Sequence, residues 1–216
     1  MFSVMYLLKG TFGTLAISAV AMVGGAFIGI LTGLAHTSTS RLLRLVAHAY
    51  SMSIRGVPIL VLLFGVFFGI PMLTGYEPSA FVAITIGFVV WTGAYTGEIV
   101  KAGIESIHKD QWDAAKAIGM NYRQQLSYIV LPQATIVIVP PATSLFIGLI
   151  KNTSLAYLLG YPELIKAGRT VMQTTLLTIP IFLVVAGIYF MICFPLSRLA
   201  QKWERRGLNV TYRSDY

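Results

Sequence analysis

The sequence predicts an all-α integral membrane protein with five transmembrane helices. Three observations carry that prediction. First, 56% of its 216 residues are hydrophobic and only 11% are charged, against about 25% charged in a soluble domain. Mean hydropathy is +0.75. Second, five apolar stretches approach or exceed the ~20 residues that cross a bilayer. Third, cations cluster in alternate connections, as the positive-inside rule requires of a multi-pass protein.

The first stretch, about 10–35, reads TFGTLAISAVAMVGGAFIGILTGLA and is rich in Gly and Ala, which let membrane helices approach closely. The others lie at about 56–75, 79–103, 132–150 and 177–200. Pro58, Pro71, Pro140, Pro141, Pro180 and Pro195 fall in or beside them. Membrane helices tolerate proline where neighbours satisfy the freed carbonyls. The whole chain, 1–216, forms one transmembrane domain with a tail at 201–216.

Twelve of the sixteen cations flank the first connection (Arg41, Arg44, Arg55), the third (Lys101, Lys109, Lys116, Arg123) or the C-terminal end (Arg198, Lys202, Arg205, Arg206, Arg213). Lys9, Lys151, Lys166 and Arg169 take the other side. This places the N-terminus outside and the C-terminus in the cytoplasm. The net charge of +8 therefore serves orientation, and no nucleic-acid partner is expected. With Cys193 as the only cysteine, there is no disulfide framework. His36, His48 and His108 lack metal-ligand spacing, and no metal or catalytic constellation is expected.

The segment 106–130 is cytoplasmic and more polar. Asp110 is a plausible N-cap, with Asp113 in the first turn where an anion suits the helix dipole. Ala114, Ala115, Ala117 and Ile118 make a low-relief face, flanked by Trp112, Met120 and Tyr122. Gly119 ends that helix. Asn121 can cap the next, and Pro132 opens the fourth span. Such a face suits either a groove on another protein or the inner leaflet.

The spacing resembles a known signature. Asp113-Ala114-Ala115, three residues, Gly119, nine residues, Ile129, one residue, Leu131-Pro132 resembles the E-A-A-x3-G-x9-I-x-L-P loop of type I ABC importer permeases, with Asp for Glu at 113. RGVPILV (55–61), AYTGEIVKAGIESI (94–107) and KNTSL (151–155) resemble segments of the polar amino-acid subfamily (His/Gln/Arg/Glu type). The resemblance implies the type I permease fold in a bacterial cytoplasmic membrane. It implies a second permease subunit, two cytoplasmic ATPases and an extracytoplasmic binding protein as partners, with an amino acid as substrate. The coupling residues would be Trp112, Asp113, Ala114, Ala115, Ile118, Gly119, Met120, Leu131 and Pro132. No G-x-x-x-x-G-K-[ST] occurs in the chain, so ATP and magnesium would be used by the partner ATPase and the chain itself is not expected to be an enzyme.

Charges inside a membrane are costly and need partners. Glu98 and Arg55 sit at similar depth and are expected to pair as a structural brace, or to share a network with Lys101. Lys151, Asn152, Thr153 and Ser154 follow a span weakened by Pro140-Pro141. They mark either its outer exit or a helix interruption at membrane depth where freed backbone groups hold a solute, and the resemblance favours the interruption. Trp91, Thr92 and Tyr95 either line the same path or pack between helices. The family often has an acid where Asn152 stands, so a neutral or acidic substrate is favoured over a cationic one. Tyr161-Pro162-Glu163-Leu164-Ile165 reads as a short outer helix with Pro162 near its start. An ion-coupled secondary transporter or channel for small polar solutes is the alternative. No inverted repeat or acidic relay supports it.

Overall fold

The computed structural model describes the backbone of residues 2–213 and the side chains of 3–202. Among the described residues nine α-helices follow one another: α1 (Phe2–His36), α2 (Arg41–Arg55), α3 (Ile59–Thr74), α4 (Ala80–Glu105), α5 (Lys109–Ala117), α6 (Tyr122–Gln124), α7 (Leu131–Asn152), α8 (Leu164–Thr175) and α9 (Thr178–Arg213). A π-helical turn, Gln125–Val130, precedes α7, and a 3-10 segment, Thr153–Leu159, follows it.

Among the described residues four helical stretches are long and apolar enough to cross a membrane: Ser3–His36, Ala80–Glu105, Tyr122–Leu159 and Thr178–Lys202. The second expected span, 56–75, is different. Its helix α3 has 16 residues and reaches only about 24 Å, less than the ~30 Å hydrocarbon layer. The preceding residues are not a plain connection but form α2, and α2 and α3 count as a fifth span only together, bent by 103°. The break falls at Gly56-Val57-Pro58, where proline ends helical hydrogen bonding. Helix α9 continues into the expected tail as far as Arg213. The side chains of Arg205, Arg206 and Arg213 lie outside the described residues.

α1 and α4 form the spine. A Cβ placed on Gly25, Gly29 or Gly33 would lie 2.5, 2.3 and 2.4 Å from Thr92, Thr96 and Val100 respectively. The offset is constant, so the two helices run parallel, as first and third spans must. Gly93 and Gly97 admit Ile28 and Thr32 of α1 in return. Lipid offers no hydrophobic drive for helix association, so close backbone approach through small residues supplies the contact.

Among the described residues three apolar clusters stabilise the bundle. Ile17, Ala21, Leu63, Ile84, Phe88, Leu149, Ala156 and Leu159 join α1, α3, α4, α7 and the 3-10 segment. Leu7, Leu164, Ala167, Val171 and Val185 seat α8 against α1 and α9. Val100, Ile104, Val130 and Ala134 join α4 to the start of α7.

Pro140 and Pro141 do not interrupt the fourth span, since α7 runs through them. The irregularities lie at its two ends. Pro132 is the second residue of α7, and the π-turn sits just before it. A proline ring clashes with the carbonyl four residues back, and widening the turn relieves that clash. Pro132 therefore continues a helix rather than opening one.

Candidate functional site: an exposed loop and a polar break

The loop between α4 and α7 is fixed by specific caps. His108, not Asp110, is the N-cap of α5: its Nδ1 accepts the Asp110 N–H at 3.4 Å. Asp110 thus takes the first turn, and Asp113 falls one turn later than expected. At the other end Met120 N–H donates to Ala115 C=O (3.2 Å) and Gly119 N–H to Lys116 C=O (3.0 Å). This is a Schellman arrangement, and it requires the left-handed φ of +83° that Gly119 adopts. Asn121 and Gln124 then form a reciprocal capping box, with bonds of 3.0 and 2.9 Å.

One side of the loop is tied to the bundle. Tyr122 donates its hydroxyl to Thr37 C=O at 2.7 Å. Trp112 stacks on Tyr122 with ring centroids 5.9 Å apart. Ala115 is buried, and the Gln125 amide donates to Met120 C=O at 2.6 Å. Ile129 and Leu131 pack on the Val100 cluster. The expected coupling set therefore divides. Trp112 and Leu131 are half-buried and pack toward the bundle, Ala115 is buried, and Met120 is half-buried with its carbonyl accepting from Gln125. Asp113, Ala114, Lys116, Ala117, Ile118 and Gly119 are exposed, with Ile118 at 74%, and Pro132 is exposed further along.

The polar residues beyond α7 also separate. Regular α-helix gives way to 3-10 geometry at Thr153. Lys151 is exposed, and Asn152 and Ser154 are half-buried. Thr153 is fully buried and donates to Ile150 C=O at 2.7 Å, so its hydroxyl faces its own helix. Thr92 is likewise fully buried, against Gly25, and its hydroxyl lacks a hydrogen-bond partner. Helix packing, the alternative open to Thr92 in the sequence, is what it does. Trp91 and Tyr95 remain half-buried with centroids 4.5 Å apart. Among the described residues no hydrogen bond or ring contact joins them to 151–154.

Tyr95 instead belongs to a charged corner. Arg55 Nη1 lies 3.3 Å from Glu98 Oε2, and the guanidinium sits 5.4 Å from the Tyr95 ring centroid. His36 was not singled out by spacing, yet its Nε2 lies 3.4 Å from Glu98 Oε1 and 3.1 Å from Ser51 Oγ. The corner links the ends of α1, α2 and α4. No hydrogen bond or ion pair to Lys101 is present there among the described residues.

A buried acid, Glu163, was not singled out in the sequence. Glu163 is fully buried and is the N-cap of α8. Its Oε1 accepts from Lys166 N–H (2.7 Å) and its Oε2 from Ile165 N–H (2.8 Å). Tyr189 donates its hydroxyl to Oε2 at 3.3 Å. Helix α8 thus begins after Glu163, and Pro162 stands outside it, which corrects the expected helix start. Burial pushes the Glu163 carboxyl above the usual range, although the backbone N–H groups and Lys166 oppose that shift. Glutamate is not among the usual capping residues, so the sequence carried only a weak signal. Nearby, Lys166 Nζ donates to Gly160 C=O. Arg169 donates to the Tyr157 hydroxyl at 3.0 Å, on the wall of an open cavity of about 470 Å³ that Met172 and Phe182 also line.

The chain is thus a bundle of membrane-length helices with a capped loop whose ridge is exposed. Residues 25–207 match the family described as "Binding-protein-dependent transport system inner membrane component", and the chain belongs to this family. It is 39% identical over 188 residues to the probable amino-acid ABC transporter permease protein YckA of Bacillus subtilis (strain 168), covering 87% of this chain and 83% of the relative. It is 37% identical over 198 residues to the L-cystine transport system permease protein TcyB of the same organism, covering 91% and 84%. Among solved structures, an amino acid ABC transporter crystallised with histidines superposes with a TM-score of 0.86 at 29% identity, covering 93% of this chain and 94% of that one. The chain is therefore a multi-pass inner-membrane permease subunit with the ABC importer fold. It is not itself an enzyme, because the family's ATPase is a separate subunit. The family works with a second permease, an ATPase and a binding protein.

Proposed function

We propose that this chain carries polar amino acids inward across the membrane, as one of two permease subunits driven by two cytoplasmic ATPases and supplied by an extracytoplasmic binding protein. The observation that carries the substrate class is the similarity to relatives and to a solved transporter whose names specify amino acids. The exposed ridge Asp113, Ala114, Ala117, Ile118 and Gly119 seats in a cleft of the ATPase. Its Schellman cap and the Trp112–Tyr122 stack make it a stiff lever, so movement of the ridge is passed to α4 and α7. The cation distribution supports placing the N-terminus outside and this ridge in the cytoplasm.

Lys151, Asn152 and Ser154, with Trp91 and Tyr95, line the path. Asn152 adds no negative charge, while Lys151, Lys166 and Arg169 are nearby cations, which favours neutral or acidic amino acids. ATP and magnesium act only on the partner. The test is ATP hydrolysis by the reconstituted complex with its binding protein and a panel of amino acids. Stimulation by neutral or acidic members is expected. Stimulation confined to sugars, metals or arginine and lysine contradicts the reading.

A further inference from the structure

We propose that α2 lies in the headgroup layer at the cation-rich end of the bundle and binds anionic phospholipid there. The inference rests on α4 crossing the membrane with α3 packed against it through Leu63, not on the substrate assignment. Since α3 packs on α4 through Leu63 against Gly87, Ile84 and Phe88, a 103° bend turns α2 close to the membrane plane. At 15 residues α2 spans about 22 Å and is too short to cross.

Its circumference divides into three sectors. Ala47 and Ser51 are buried against the bundle, and Tyr50 donates its hydroxyl to Val90 C=O at 2.7 Å. The opposite sector carries Leu42, Leu45, Val46 and Met52, which are 58–68% exposed. Between them runs a basic edge of Arg41, Arg44 and His48, all exposed. Arg44 is held at the first turn by the carbonyls of Ser38 and Thr39. Arg41 has no hydrogen-bond or ion-pair partner among the described residues. Helix α2 contains no acid.

Charge complementarity selects the occupant. Water would leave four large apolar side chains uncovered. A protein partner would have to match an apolar strip and bring its own acids to the basic edge. Phospholipid satisfies both sectors at once, with acyl chains against the leucines and phosphate against the arginines, which is the pattern of a helix lying in the interface.

The test uses the assembled transporter with Cys193→Ser and a fluorophore at Leu45→Cys, in phosphatidylcholine vesicles. The quenchers are nitroxide-labelled phosphatidylglycerol, nitroxide-labelled phosphatidylcholine and aqueous iodide. Quenching by both lipids, stronger for phosphatidylglycerol, with little by iodide, is expected. Arg41→Glu should lower the preference for phosphatidylglycerol about fivefold or more. Arg41→Gln should lower it less, and serves if the reversal prevents assembly. Strong iodide quenching would show water, and no quenching by any agent would show a covering protein. Either result, or a lipid preference unchanged in both Arg41 variants, overturns the proposal.

Discussion

Thr92 and Thr96 show how a polar residue in a membrane helix can serve packing alone. Their methyl groups fill the space left by Gly25 and Gly29, and their hydroxyls are buried without a partner. An unpaired buried hydroxyl is unfavourable, and replacing it with an apolar group of the same shape is neutral or stabilising. Thr92→Val and Thr96→Val should therefore leave the unfolding temperature of the purified complex unchanged or raise it. They should also leave uptake intact, and lost uptake at unchanged stability would return Thr92 to the path. Glu163 gives a prediction in pH. Its carboxyl is raised in the folded state, so the folded chain holds a proton that the unfolded chain has released. That contribution is fully present below the ordinary glutamate range. It is lost as pH rises through the raised value. Glu163→Gln should flatten this loss in a thermal-unfolding series against pH. Glu163→Ala should also remove the cap, costing about 0.5–2 kcal/mol.

Among elements, the α1–α4 pair is the one most exposed to substitution. A side chain at Gly29 meets the body of Thr96 and the carbonyl of Gly93, neither of which can swing away. Gly29→Val should destabilise the bundle by about 1–3 kcal/mol, as overpacking does, and Thr96→Gly should restore part of it. Thermal unfolding in detergent reads both. The glycine spacing of α1 was visible in the sequence as a small-residue span, but its partner was not, because α4 hides Thr92, Thr96 and Val100 among other apolar residues. The Gly119 stop and the Asn121 cap were legible, since each rests on local backbone chemistry. Helix α2 was not: it carries its apolar residues on a narrow strip between arginines and lacks the continuous run that marks a span. The start of α8 was missed for a related reason, because a glutamate cap becomes favourable only once the fold brings Tyr189 to its carboxylate and the Thr14 hydroxyl to accept the Leu164 N–H.

For the whole molecule, the sequence pattern of the loop draws together residues of two faces. The motif Asp113-Ala114-Ala115 through Leu131-Pro132 includes residues that hold the loop to the bundle as well as residues that leave it. Spacing along a chain records both, and only the fold separates them. Ala115 and Leu131 stay inside, while Ala117 and Ile118 point away. The most direct test follows from that separation. Single cysteines are placed at Ile118 and at Ala115 in a Cys193→Ser background, and the complex is crosslinked in the membrane. Ile118→Cys should join to the ATPase in high yield, and Ala115→Cys should not. Crosslinks from Ile118→Cys only to lipid or to the permease itself would contradict the account.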